Sequence, residues 1–174
     1  MENLRDQQRA FEQAGEDLFN FAVDREEMKV LLEYLPRESD IMRGKVEYEL
    51  VVLRIISVGW CISYFLENHS HKDLIAEFYW KAVHEFSQSI SSSAGLMIGR
   101  DIDYFQVVRD RLDTYVEAMR RRPDSTATAV VIGPEFAKVC GNEDSAQLIL
   151  VGAKMFMAAM DGVRKYLEHT LEPI

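Results

Sequence analysis

The chain is short of the residues that staple or interrupt a fold. Its 174 residues include two cysteines and four prolines. Cys61 lies in an apolar run and Cys140 beside Gly141, neither in a CxxC pattern, so buried thiols in a reducing compartment are expected rather than a disulfide or a zinc ligand set. Pro36, Pro123, Pro134 and Pro173 fall between or after the apolar periodic segments and read as helix boundaries. Positive charge is also scarce, with 20 Lys and Arg against 29 Asp and Glu and a net charge of −9. The one dense basic run is Arg120-Arg121-Arg122, at a site where cations favour a helix C-terminus. Phosphate binding needs a basic face that releases counterions, so nucleic acid is not expected as a partner.

Long uncharged apolar runs are missing too. Leu50 to Leu66 comes nearest, but it is shorter than the roughly 20 residues of a membrane span and holds Arg54. A core helix is therefore expected there, and no membrane association. Met1-Glu2-Asn3-Leu4-Arg5-Asp6 has no apolar stretch behind it, so no secretory leader is expected and the cytoplasm is the default location.

Catalytic signatures are absent in the same way. A carboxylate-bridged di-metal bundle requires Glu-x-x-His pairs, yet Lys81, Asn68, Leu66 and Tyr166 stand three residues before His84, His71, His69 and His169. Glu67, His69, His71 and Asp73 crowd together across a helix junction, where polar residues serve capping, and no metal is expected. There is no G-x-S-x-G, and Gly95-Leu96-Met97-Ile98-Gly99 lacks the Lys-Ser or Lys-Thr of a phosphate loop, so it reads as a turn. No catalytic residue and no cofactor are expected.

What remains is helical periodicity. With 48% apolar and 28% charged residues the chain has the material for a packed core. Leu4, Phe11, Leu18 and Leu32 form one heptad row and Ala14, Phe21, Met28 and Leu35 another, predicting a long helix over residues 3–35 that packs on the domain or pairs in trans with a second copy. Ser39 or Asp40 can cap a second helix running to about Asn68, apolar nearly all round. Ser70-His71-Lys72-Asp73 has capping-box form and opens a third helix that should fade at Ser91 to Gly95. A fourth starts near Asp101 and stops at Pro123. Residues 124–133 read as a loop, with a short helix from Pro134 and a last helix from about Ser145, capped by Asp144, to Leu171. Gly152, Ala153, Ala158 and Ala159 in that helix favour a close crossing, expected with the second helix. The sum is one domain over residues 1–174, an all-α antiparallel bundle of five to six helices.

Four residues stand out as binding candidates. Arg54, a guanidinium in an apolar helix, must be paired or reach water; a bridge to Asp161 of the last helix is the leading expectation, an anion pocket the next. Glu77, Trp80 and His84, with Ser87, share one face of the third helix; the leading expectation is that Trp80 wedges at the edge of the core while His84 and Glu77 stay solvated, a partner-binding patch is the next and an acid and base pair the last. Met155, Phe156, Met157 and Met160 are expected mainly as core. The leading functional expectation is a non-catalytic helical protein-interaction module, homo-oligomeric or docking on another protein, possible basic partners included. The alternatives are a bundle holding a small apolar or acidic ligand between its central helices, with Arg54 meeting the acid, and an enzyme of undetermined class using Glu77, His84 or Arg54.

Overall fold

A computed structural model describes residues 2–35, 40–99, 101–122 and 128–171. It is an all-helical bundle with no strand among the described residues. In chain order the helices are α1 (Glu2–Val23), α2 (Glu26–Leu32), α3 (Asp40–Phe65), α4 (Lys72–Ile98), α5 (Tyr104–Arg120), α6 (Thr128–Val139) and α7 (Ala146–Thr170).

The N-terminal segment is two helices rather than one. The chain breaks at Asp24-Arg25, and the Asp24 carboxylate accepts the Glu26 N–H at 3.0 Å, a local bond that competes with continuation of the helix. Both heptad rows are nevertheless used within the chain. Ala14 and Leu18 on α1, and Met28 and Leu32 on α2, are buried against α3, α4 and α7. From Ala14 onward the seam packs within the chain.

Helix α3 is the axis, with Leu50, Leu53, Ile55, Val58, Cys61 and Ile62 all buried and α7 packed along it, as the apolar pattern anticipates. Its polar interruptions are handled locally: Ser57 Oγ donates to the Leu53 carbonyl at 2.7 Å, and Tyr79 of α4 donates its hydroxyl to the Ile55 carbonyl at 2.7 Å. The helix ends at Phe65, short of Asn68. Ser39 and Pro36 lie outside the described residues.

Three other boundaries differ from the sequence reading, and the start of α5 falls within it. The capping box at Ser70 does not form; His71 is the N-cap of α4 without a side-chain cap bond, its backbone N–H donating to His69 Nδ1 at 3.2 Å. Helix α4 does not fade at the serines, because Ser87, Ser89, Ser91 and Ser93 each donate to the carbonyl four residues back, and it runs on to a left-handed Gly99 at φ 61°. Asp103, one of the neighbours of Asp101, caps α5 by accepting the Gln106 N–H at 2.9 Å, and Ser145 rather than Asp144 caps α7.

The largest correction is α6. It begins at Thr128, so the described part of the expected loop is helical and Pro134 lies inside a helix. An interior proline removes one backbone bond and costs about 3 kcal/mol. The orphaned carbonyl belongs to Val130, an exposed residue that water reaches, and the rest of α6 buries Val131, Ile132, Phe136 and Ala137. Two glycines allow the contact with α7: a Cβ on Gly133 would sit 2.6 Å from the Ile149 carbonyl oxygen, and one on Gly152 would sit 2.6 Å from Phe136 Cβ. The small-residue face of α7 therefore receives α6 as well as α3.

Gly15 makes the equivalent approach of α1 to α4, where a Cβ would lie 2.6 Å from Phe78 Cβ and 3.0 Å from the Tyr79 backbone nitrogen. A backbone neighbour has no rotamer into which to retreat. Gly15→Ala and Gly133→Ala should each lose about 1–3 kcal/mol in chemical denaturation, through overpacking. Gly44→Ala, where nothing lies within 4 Å, should gain roughly 0.5–1 kcal/mol from helix propensity. Equal effects at all three positions would contradict the packing described.

Candidate functional site

Arg54 is the most buried of the singled-out residues, at 1% exposure, and its partner is not Asp161. Because α2 turns back over α3, Glu27 reaches it, with Glu27 Oε2 3.0 Å from Arg54 Nη2. The Phe21 ring lies under the guanidinium at 4.5 Å. Nε and Nη1 have no partner among the described residues. Burial pushes the Arg54 pKa down, more strongly than the Glu27 and Asp24 carboxylates push it up. Asp161 is instead bound by its own helix, to Arg164 at 2.7 Å and Lys165 at 2.6 Å. With Met155 fully buried close to the same helix pair, this region is packed core.

Glu77, Trp80 and His84 do share a face of α4, but they do different things. Glu77 is exposed. Trp80 is half-buried and lies over Gly59, where a Cβ would come within 2.4 Å of its ring, so it wedges α4 against α3. His84 stands edge-on to Phe105 at 4.8 Å and contacts Gln88 at 3.1 Å. It lines an open polar cleft of about 650 Å³ with Ser87, Ser91, Asp101 and Asp103, between α4 and the start of α5. The serine hydroxyls there are occupied by carbonyls of their own helix.

A second buried charge escaped the sequence reading. Glu49 on α3 is 3% exposed and accepts two bonds from Arg111 of α5, from Nε at 2.9 Å and Nη2 at 2.8 Å. Each residue alone looks like an ordinary charge on a helix, and 62 positions separate them. Among the described residues no group of three or more His, Cys, Asp or Glu is placed to hold a metal.

Comparison with known protein families, with characterised proteins and with solved structures finds no match. The reading of function rests on the chain's own surface.

That surface is uneven. Arg43–Phe65 of α3 and Ala146–Thr170 of α7 are long and apolar enough to cross a membrane by length and composition, each with an 18-residue stretch of mean hydropathy 1.4; in the bundle 67% of the first stretch is buried and only 39% of the second. Two large apolar side chains of α7 are exposed, Leu150 at 45% and Met157 at 49%, with the half-buried Lys154 between them at four- and three-residue spacing. Of the methionine cluster, then, Met155 is core and Met157 is not. Helix α2 packs against α7; its Val30 and, in the turn that follows it, Tyr34 are also exposed, and the Lys154 ammonium sits 4.2 Å over the Tyr34 ring. The Lys154–Tyr34 contact thus joins the exposed apolar side chains of α7 to the end of α2.

Both thiols are remote from such surfaces. Cys61 and Cys140 are buried, and burial pushes each thiol up to about 12. A free thiol ionises near pH 8.5, and only the thiolate attacks disulfide reagents. At pH 8 neither should be titrated by such a reagent in the folded protein within minutes, while both should react at once in denaturant. Rapid reaction of either in the native state would contradict its position.

Proposed function

We propose that the chain is a non-catalytic, cytoplasmic interaction module that pairs with a second copy through the outer face of α7 and the adjoining face of α2. The observation that carries this reading is the exposed apolar pair Leu150 and Met157, one on each side of Lys154, on a helix otherwise composed like a core helix. Folding leaves such a face uncovered at a cost of about 25 cal/mol for each Å² of apolar area that a partner could bury. An apolar patch is complementary to its own copy, and two-fold dimers are the commonest oligomers. The net charge of −9 opposes association at long range, and salt screens it, with a Debye length of about 10 Å at 0.1 M.

Native mass spectrometry and light scattering test the reading. The expected result is a dimer whose population rises with salt, as an apolar contact between like-charged bodies requires. Leu150→Glu with Met157→Glu should give a folded monomer, weakening association by about a hundredfold or more, since hot-spot losses exceed about 2 kcal/mol. A monomer at every concentration and ionic strength would remove self-association, and an unaltered dimer in the double variant would move the interface elsewhere.

A further inference from the structure

A smaller cleft of about 270 Å³ opens where α3, α4 and the start of α5 meet the turn between α1 and α2. Its walls are aromatic: Tyr48, Phe86 and Tyr104. The Tyr104 ring stands at 84° to Tyr48, with centroids 5.7 Å apart, and at 83° to Phe86, with centroids 6.0 Å apart. Gly44 contributes no side chain to the rim, and a Cβ built there meets nothing within 4 Å. Two opposite charges, Glu47 and Arg25, line the same cleft. Among the described residues neither takes part in an ion pair, with the other or with anything else.

The walls are held in place. Tyr104 opens α5 and is 3% exposed, and its backbone N–H donates to Ser91 Oγ at 3.0 Å, the Ser91 hydroxyl in turn donating to the Ser87 carbonyl at 2.8 Å. Phe86 is braced by Phe19 of α1, edge-on at 5.7 Å. Tyr48, one position from the buried Glu49, is the wall that reaches solvent, at 37% exposure.

The Tyr104 ring, perpendicular to each of the other two, thus lines a small space with them, and a carboxylate stands beside it. An ordinary ammonium would forfeit strong hydrogen bonds to water there. A quaternary ammonium has no N–H to forfeit, and each ring face attracts it by about 0.5–2 kcal/mol. Arg25 at the same site weakens the hold on a bare cation and offers a bidentate donor for an anion. We propose that the cleft binds a small zwitterion of the betaine type, its trimethylammonium group against Tyr48, Phe86 and Tyr104 beside Glu47 and its carboxylate on Arg25. The site is separate from the outer face of α7, and the two readings stand or fall independently.

Calorimetric titration of the full chain with glycine betaine, tetramethylammonium and 3,3-dimethylbutanoate tests it. The last is the carbon isostere, with the same shape and carboxylate but no positive charge. Betaine should bind, tetramethylammonium about tenfold more weakly for want of the Arg25 contact, and the isostere not measurably. Tyr48→Leu should weaken betaine about tenfold or more and Tyr48→Phe hardly at all. Arg25→Gln should weaken betaine and, by removing a like charge, tighten tetramethylammonium, and Glu47→Gln should weaken both. Circular dichroism confirms that these exposed-rim variants fold. No heat from betaine at about 10 mM, an isostere that binds as well as betaine, or affinity indifferent to Tyr48→Leu would each overturn the proposal. Tetramethylammonium binding as tightly as betaine would overturn the role given to Arg25 and with it the zwitterion.

Discussion

Arg111→Met should lower the stability of the bundle by about 3–5 kcal/mol, one of the two largest effects expected of a single substitution here, because it strands the Glu49 carboxylate in the core. Glu49 is 3% exposed and both its oxygens are used by Arg111. Tyr115 lies nearby with a buried hydroxyl that has no partner among the described residues, so the surroundings already carry one unsatisfied polar atom. The effect belongs to the broken pair rather than to the pair's own worth. Replacing both partners, Glu49→Leu with Arg111→Met, should therefore recover most of the loss, since apolar substitutes for a buried ion pair are often neutral or better. Urea midpoints of the two single variants and the double variant close the cycle. A double variant as unstable as the sum of the single ones would show that the pair is not coupled in the way its geometry implies.

The second large effect lies at Arg54, and its sign depends on the replacement. Arg54→Ala deletes one of the largest fully buried side chains and leaves a void under Phe21, at a cost of about 3–5 kcal/mol. Arg54→Met fills similar space without the charge. With Nε and Nη1 unpartnered among the described residues and the one carboxylate partner there, Glu27, half in solvent, the guanidinium recovers little of its desolvation. The methionine variant should accordingly be as stable as the parent or more so, by up to about 4 kcal/mol. Glu27→Ala should cost only about 1–3 kcal/mol, discounted because water reaches that end of the pair. Destabilisation by methionine as severe as by alanine would mean that the charge itself holds α2 on α3.

The same arginine shows how far the sequence reaches. That a guanidinium amid Leu50, Leu53 and Ile55 must find a carboxylate follows from desolvation alone, and it does find one. Which one depends on the break at Asp24-Arg25, a single local hydrogen bond that the heptad rows running straight through it conceal. The helical class, the axial place of α3 and the company of α7 follow from apolar periodicity, which averages over many residues. Pro134 shows where averaging fails: its local cost is outweighed by burial of Val131, Ile132 and Phe136 against α7, a tertiary gain invisible in the run of β-branched residues. The α4 serines mislead for a related reason, since hydroxyls that favour turns also bond back to their own helix. Glu77, Trp80 and His84 are neighbours on one helix, whereas Tyr48, Phe86 and Tyr104 come from three, and only the packing of those helices brings the rings together.

Helix α7 is the last of the described helices in chain order, and both α3 and α6 pack against it. A polypeptide emerging from the ribosome must therefore present the apolar flanks of its axial helix to the cell throughout the time needed to make the following hundred or so residues. Closure of the core waits on the segment from Ala146 onward. Nascent chains stalled before that point should recruit chaperones that the finished domain no longer attracts.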